Sequence, residues 1–354
     1  MSRPFWQQSA CTLAADIGQG ICTAEEVITS VLSRVDARNP EINAIVSRCD
    51  REALTAARAA DKQIKRGEPV GPLHGVPITI KINVDVRGQA TTNGMAVFRE
   101  LYAPDHSPVV KHLLDAGAIL IGRTNAPELS MRATTDNPLY GRTLNPWHTD
   151  ASPGGSSGGG GAAAASGFGP IHHGNDIGGS LRFPSFACGV STVKPTLGRV
   201  PAYNPSMGGE RGLLSQLMSV QGVMCREVRD VRLGLEVISG EDPRDPWWVP
   251  VPFVGPELPK PVKVALTREA HGYPMHPGIS DGLDRAAGYL EDAGYAVEEV
   301  AVPPIDRPAL FWFEVLFHEI ETTLGPLARE HGSETIKLLF DWMLAMGEPV
   351  DAEG

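Results

Sequence analysis

The residues of this chain with most chemistry to offer lie in "GNDIGGSLRFPSFACG", where Gly178 and Gly179 precede Ser180 and a helix-like run follows. Glycines allow a tight turn there, and a helix start leaves backbone N–H groups free, so a negative oxygen above Ser180 would find donors waiting. An oxyanion hole can be built this way from backbone alone. The serine hydroxyl also needs a neighbour to take its proton. His172 and His173 are near, but they sit on an apparent strand whose successive side chains face opposite ways, so neither folds back easily onto Ser180; they read as structural or surface histidines. A lysine can serve instead if burial and neighbours hold it neutral, and Lys81, at the end of "VPITIK", is the candidate, although a strand-end lysine ordinarily points into water. The stretch "SPGGSSGGGGAAAASGFGP", Ser152 to Pro170, reads either as a flexible spacer or as part of the same site.

The elements that would hold these residues can be read from pattern. "TAEEVITSVLSRVDARNPEINA" has Thr23 as N-cap, apolar residues at Val27, Ile28, Val31, Leu32 and Val35, and Asn39-Pro40 as its stop, which predicts an amphipathic helix. Residues 51–65 predict a second, alanine-rich helix, and "GEPVGPLHGVP" a loop. "VPITIK", 76–81, predicts a strand. "SPVVKHLLDAG" then "AILIGRTN", and "DGLDRAAGYLEDAGY" then "AVEEVAVP", each predict a helix leading into a strand; the alternation indicates an α/β layer fold with a mostly parallel or mixed sheet. The proline-rich run from Glu241 to Pro261 reads as an excursion between sheet regions or as a domain linker, and from Leu310 onward the pattern is helical.

Composition narrows the classes. The chain has 354 residues, 42% hydrophobic and 21% charged, an ordinary globular balance. Its net charge of −11, with no run of basic residues, argues against nucleic-acid and anionic-membrane binding. The five cysteines (Cys11, Cys22, Cys49, Cys188, Cys225) are scattered and lack a C-x-x-C pair, so neither a disulfide framework nor a zinc site is indicated, and a reducing compartment fits best. The N-terminus lacks a signal-peptide core and no segment reaches bilayer-spanning length, so a soluble cytoplasmic protein is expected.

"GPLHGVPITIK", "TTNG", "NPLYGRTLNPW", "SPGGSSGG" and "GNDIGGSLRFPSFACGVSTVKPTLGRVP" occur in the order and spacing of the amidase signature family, which the chain resembles from "RNPEINA" to about residue 240, and more weakly through "VKVAL" to "VEEVAVP". The resemblance implies an α/β fold with an amidase-signature-type mixed β-sheet covered by helices on both faces. It implies a single domain over 1–354: N-terminal helices in 1–70, a catalytic core in 71–240, and a shortened substrate-side extension in 241–354. It also implies a Ser-cis-Ser-Lys triad with Ser180 as nucleophile, Ser156 as bridging serine on a cis peptide, and Lys81 as base, so that the run 152–170 reads as a rigid part of the site entering a tightly packed helix instead of a spacer. The implied oxyanion donors are the backbone N–H groups around Ile177, Gly178, Gly179 and Ser180, with Ser157 as a supporting hydrogen-bond partner. Asp176 and Arg182 flank the turn as a charged brace or an ordinary surface pair. Met131, in "ELSMRATTDN", falls in a segment that lines the acyl pocket in the family, although a lone methionine is more often core. No metal or cofactor is implied.

Three departures stand out. Ile82, then Asn83, follows Lys81 where the family usually has an acidic residue; Asn175 stands where threonine is common; and family members usually continue well past this C-terminus. The last suggests either a truncated product or closure by self-association or a partner chain. The expected function is hydrolysis of a small carboxamide through a Ser180 acyl-enzyme. The alternatives are the amidase-like subunit of a tRNA-dependent amidotransferase and a truncated, inactive family member.

Overall fold

Ser9 starts the first helix, α1 (Ala10–Gly18), by accepting a hydrogen bond from the Thr12 N–H. The computed structural model describes residues 3–209 and 211–346. Helix α2 (Ala24–Ile42) opens with a capping box in which Thr23 and Glu26 satisfy each other's backbone N–H, and it buries Val27, Ile28, Val31, Leu32 and Val35. It does not stop at Asn39-Pro40 as the sequence suggests. Pro40 removes an N–H on the side where Asp36 is exposed and water can serve the freed carbonyl, so the helix continues until Asn43 enters the left-handed region at φ 54°. Asn39 then accepts from the Ala44 and Ile45 N–H groups, starting strand β1 (Ile45–Arg48), which the periodicity does not reveal.

Helix α3 (Asp50–Lys65) follows, then β2 (Pro77–Lys81), α4 (Pro108–Asp115) and β3 (Ile119–Thr124). A short hairpin, β4 (Asp136–Asn137) and β5 (Gly141–Arg142), precedes α5 (Gly158–Ser166), β6 (Ile171–Asp176), α6 (Arg182–Cys188), β7 (Ser191–Thr192), α7 (Leu213–Met218), β8 (Val220–Cys225) and α8 (Val228–Ile238). The main sheet has the order β1-β3-β2-β6-β8-β7, parallel where β2 meets β3 and β6, antiparallel at β1–β3, β6–β8 and β7–β8. The fold is therefore a mixed α/β one. Every residue of β2 and of β8 is buried, which requires cover on both faces of the sheet.

By contact the chain divides into two units, Met1–Val251 with Ile320–Asp341 and Pro252–Glu319 with Trp342–Gly354. One of the boundaries, between Val251 and Pro252, falls within the proline-rich run, and 241–261 carries no helix or strand. In the second unit β9 (Lys263–Leu266) and β10 (Ala296–Glu299) pair in parallel as a separate sheet, with α9 (Pro277–Asp292) between them in sequence. Two helices complete the described chain, α10 (Asp306–His331) and α11 (Glu334–Met346). Among the described residues no helix is long and apolar enough to cross a membrane.

The glycine run of α5 is buried helix rather than spacer. A Cβ on Gly159 would stand 2.4 Å from the Asn125 backbone nitrogen and 2.6 Å from its carbonyl oxygen, whereas one on Gly160 would meet the Met224 methyl at 2.5 Å. Backbone cannot yield as a thioether end can. Gly159→Ala is expected to destabilise the protein by about 1 to 3 kcal/mol despite alanine's better helix propensity, and Gly160→Ala by clearly less. Urea unfolding of the two variants measures the contrast, and equal losses would refute it.

Candidate active site

Three segments of the first unit converge. Strand β2 delivers Lys81 at its carboxyl end, the turn between β6 and α6 delivers Ser180, and the segment before α5 delivers Ser156. That last segment is tightly determined. Gly154 has φ +78°, a Cβ on it would lie 2.7 Å from Pro184 Cα, and one on Gly155 would lie 2.5 Å from the Arg132 carbonyl oxygen. Thr135 Oγ1 donates to the Gly154 carbonyl at 2.9 Å and accepts from the Gly158 N–H at 3.1 Å. Between them the Gly155–Ser156 peptide bond is cis.

Lys81 is wholly buried, with its Nζ hydrogen-bonded to Ser156 Oγ at 2.7 Å and to Asn175 Oδ1 at 2.8 Å. Burial pushes its pKa from the ordinary 10.5 down to about 7, against a smaller upward pull from Asp176. Arg123, also wholly buried, donates from Nη2 to the backbone carbonyls of Lys81 at 3.2 Å and Val84 at 2.5 Å, fixing the strand end. Sequence reasoning missed this clamp, because an arginine in a strand gives no sign of facing inward.

Asp176 organises the turn. Its buried carboxylate accepts from the N–H groups of Gly179 at 2.8 Å and Leu181 at 3.0 Å, and from Arg182 Nε and Nη2 at 3.1 and 3.0 Å. Burial alone would raise its pKa, but the bonds from Arg182, Gly179 and Leu181 outweigh that and hold the carboxyl below its usual value. With its acidic end fully buried, the pair with Arg182 is not an ordinary surface one. The Gly179 N–H is thus already committed to Asp176. Those of Ile177, Gly178 and Ser180 have no protein acceptor among the described residues, leaving three of the four expected donors open.

Ser157 ties the segments together: its N–H donates to the Ser180 carbonyl at 3.3 Å, and its Oγ donates to the Asn175 carbonyl at 3.3 Å. Ser180 itself is half-buried, and no hydrogen bond joins its hydroxyl to Ser156 among the described residues. Such links commonly tighten only when substrate is bound. His172 is held by Thr79 Oγ1 at 2.8 Å and the Gly169 carbonyl at 3.0 Å, and His173 by Gln221 at 2.9 Å. Burial pushes both imidazoles down to about 3, so both are neutral and neither bonds to Ser180. Met131 is half-buried and follows Leu129 and Ser130, both with left-handed backbone at φ 53° and 59°. Asn83 and Asn175, visible in sequence only as departures from a family pattern, meet beside Lys81. No cluster of three or more metal-ligating side chains is present among the described residues.

The mixed sheet carries a buried lysine, a serine on a cis peptide and a glycine turn ending in serine, and the family model described as Amidase matches residues 26–347. The chain belongs to that family. It is 52% identical over 316 residues to an indoleacetamide hydrolase of Bradyrhizobium diazoefficiens, covering 89% of this chain and 60% of that protein. It is 37% identical to a glutamyl-tRNA(Gln) amidotransferase subunit of Chloroflexus aggregans, over 81% of this chain and 59% of that protein. Among solved structures, a bacterial aryl acylamidase of the amidase signature family superposes with a TM-score of 0.82 at 27% identity, covering 97% of this chain and 73% of the other. The chain spans about three-fifths of the length of these two curated relatives.

Lys81 carries a pH signature independent of catalysis. Between about 7 and 10.5 the unfolded chain holds a proton that the folded one lacks, so this group makes stability rise with pH across that window. Lys81→Met removes the term. Its stability relative to the native sequence is expected to be most favourable below pH 7 and to decline as pH rises toward 10.5, as followed by urea unfolding across the window; a pH-independent difference would refute the buried neutral amine.

Proposed function

We propose that this chain carries the catalytic site of an amide hydrolase acting on a small carboxamide of the arylacetamide type. The observation that carries the reading is the 2.7 Å contact between a wholly buried, pKa-depressed Lys81 and Ser156. The 52% identity to an indoleacetamide hydrolase supports the substrate class.

In this reading neutral Lys81 takes a proton from Ser156, Ser156 takes one from Ser180, and Ser180 Oγ bonds to the amide carbonyl carbon. The resulting oxyanion meets the open N–H groups of Ile177, Gly178 and Ser180, while Asp176 and Arg182 hold the turn and Ser157 holds Ser156 against β6. The relay returns the proton to the leaving nitrogen, the C–N bond breaks, and ammonia departs from an acyl-Ser180 ester. Water then attacks the ester and gives a proton to the relay, the relay returns a proton to Ser180 Oγ as the acyl C–O bond breaks, and the acid product leaves and ionises to the carboxylate. On the family resemblance of its segment, we assign Met131 to the acyl side of the site. A cytoplasmic location is supported by five free thiols. The 37% identity to an amidotransferase component favours, as a second reading, glutamine as the amide and a partner as ammonia acceptor.

Ser180→Ala is expected to abolish labelling by a fluorophosphonate probe and to cut ammonia release from indole-3-acetamide by on the order of 10³-fold or more. Undiminished labelling in that variant would refute the assignment. Ammonia release from glutamine in preference to arylacetamides would select the second reading. Since the unprotonated amine is the base, kcat/KM should rise with pH through about 7 in the native protein.

A further inference from the structure

We propose that Asn175, held by Asn83, is a positioning residue that aims the Lys81 amine at Ser156; the inference rests on reading Lys81 as the base of the relay. A neutral primary amine offers two N–H groups and one lone pair. To act on Ser156 it must keep the lone pair on that side, so an N–H has to be taken up elsewhere. Asn175 Oδ1, 2.8 Å from Nζ, is the acceptor placed to do so.

The polarity of that contact is fixed by the groups behind it. Asn175 Nδ2 donates to Asn83 Oδ1 at 3.1 Å, which turns Asn175 Oδ1 toward the lysine. Asn83 Nδ2 donates to Ser130 Oγ at 3.0 Å and, at a longer 3.3 Å, to Asn175 Oδ1. Ser130 Oγ in turn donates to Asn93 Oδ1 at 2.8 Å, so it meets Asn83 as an acceptor. Followed from the Lys81 amine through Asn175, Asn83 and Ser130 to Asn93, each group donates to the next in one consistent direction, and flipping either amide would set like against like. Ser130 and Asn93 both hold left-handed backbone, φ 59° and 44°, and the Asn83 carbonyl is anchored by Asn204 Nδ2 at 3.0 Å. Non-glycine residues keep such backbone only where their surroundings enforce it.

A neutral amide also solvates the amine while favouring its charged form far less than a carboxylate in the same place would. The other ionisable groups near Lys81 are already committed. Asp176, on β6, is engaged with the turn and Arg182; His173, on the same strand, is neutral; Arg123, on β3, is bonded to backbone carbonyls. A negative charge introduced at 175 would therefore act on Lys81 directly.

The test follows the Lys81 side chain by NMR in the full chain labelled at lysine Cε, the signal being identified by its loss in Lys81→Met, alongside pH–rate profiles for indole-3-acetamide. Asn175→Asp is expected to move the Lys81 titration up by about 1 to 3 pH units and to carry the acid limb of kcat/KM with it. Asn83→Ala, which frees Asn175 to flip, is expected to lower kcat by roughly 10- to 100-fold with little change in KM or in the thermal unfolding temperature. An unmoved Lys81 titration in folded Asn175→Asp would overturn the proposal, as would a loss in Asn83→Ala that appears only in KM and thermal stability. The titration needs no turnover, so it still tests the contact should the protein fail to hydrolyse amides.

Discussion

A primary amine enclosed at the end of a central strand is the constraint around which this protein is arranged. Water cannot reach Lys81, and its two hydrogen-bond partners, Ser156 Oγ and Asn175 Oδ1, are both neutral. Paired directly with a carboxylate, the amine would stay charged; given no partner, it would be expelled. The pair of neutral partners lets it reside in the interior near its neutral form. The surrounding features serve that placement: Arg123 fixes the backbone of Lys81, Thr135 and the Gly154 turn fix Ser156, and Asn83 fixes Asn175.

The second organising group is Asp176, which acts on geometry more than on charge. By taking the N–H groups of Gly179 and Leu181 it bends the chain after β6 into a turn that leaves the N–H groups of Ile177, Gly178 and Ser180 unengaged among the described residues. A donor that is already satisfied cannot serve a developing oxyanion, and one that is held rigidly but left open can do so at little reorganisation cost. Glycine at 179, with φ +115°, makes the bend feasible, and a Cβ there would strike the Phe183 ring at 2.4 Å. Arg182 closes the far side of the same carboxylate, so strand, turn and helix are tied through one side chain.

Much of this framework was legible in the sequence, for identifiable reasons. The capping box at Thr23, the short β-branched run ending at Lys81 and the helix–strand pairs 108–124 and 277–299 follow from periodicity and punctuation, and the structure has them. Strand β1 was not legible, because its pairing with β3 depends on a partner far along the chain. Pro40 misled as a helix stop because its lost N–H falls on an exposed edge. Composition alone leaves the run 152–170 open between a spacer and a packed segment, and the resemblance is what points to a tightly packed helix; the Asn125 and Pro184 atoms facing Gly159 and Gly161 are the contacts that require glycine there.

The sequence by itself determined which chemical groups were present and in what order: Lys81 at a strand end, the serines at 156, 157 and 180, the glycine turn, and the resemblance that joined them. Local pattern can carry that much because strands, caps and turns are set by neighbours within a few residues. The tertiary structure decided what those groups face. It commits the Gly179 N–H to Asp176, turns both histidines toward Thr79 and Gln221, and sets Asn83 and Asn175, far apart in sequence, against each other beside the amine. Protonation and hydrogen-bond direction depend on burial and on partners brought from distant strands, and these exist only once the sheet has assembled.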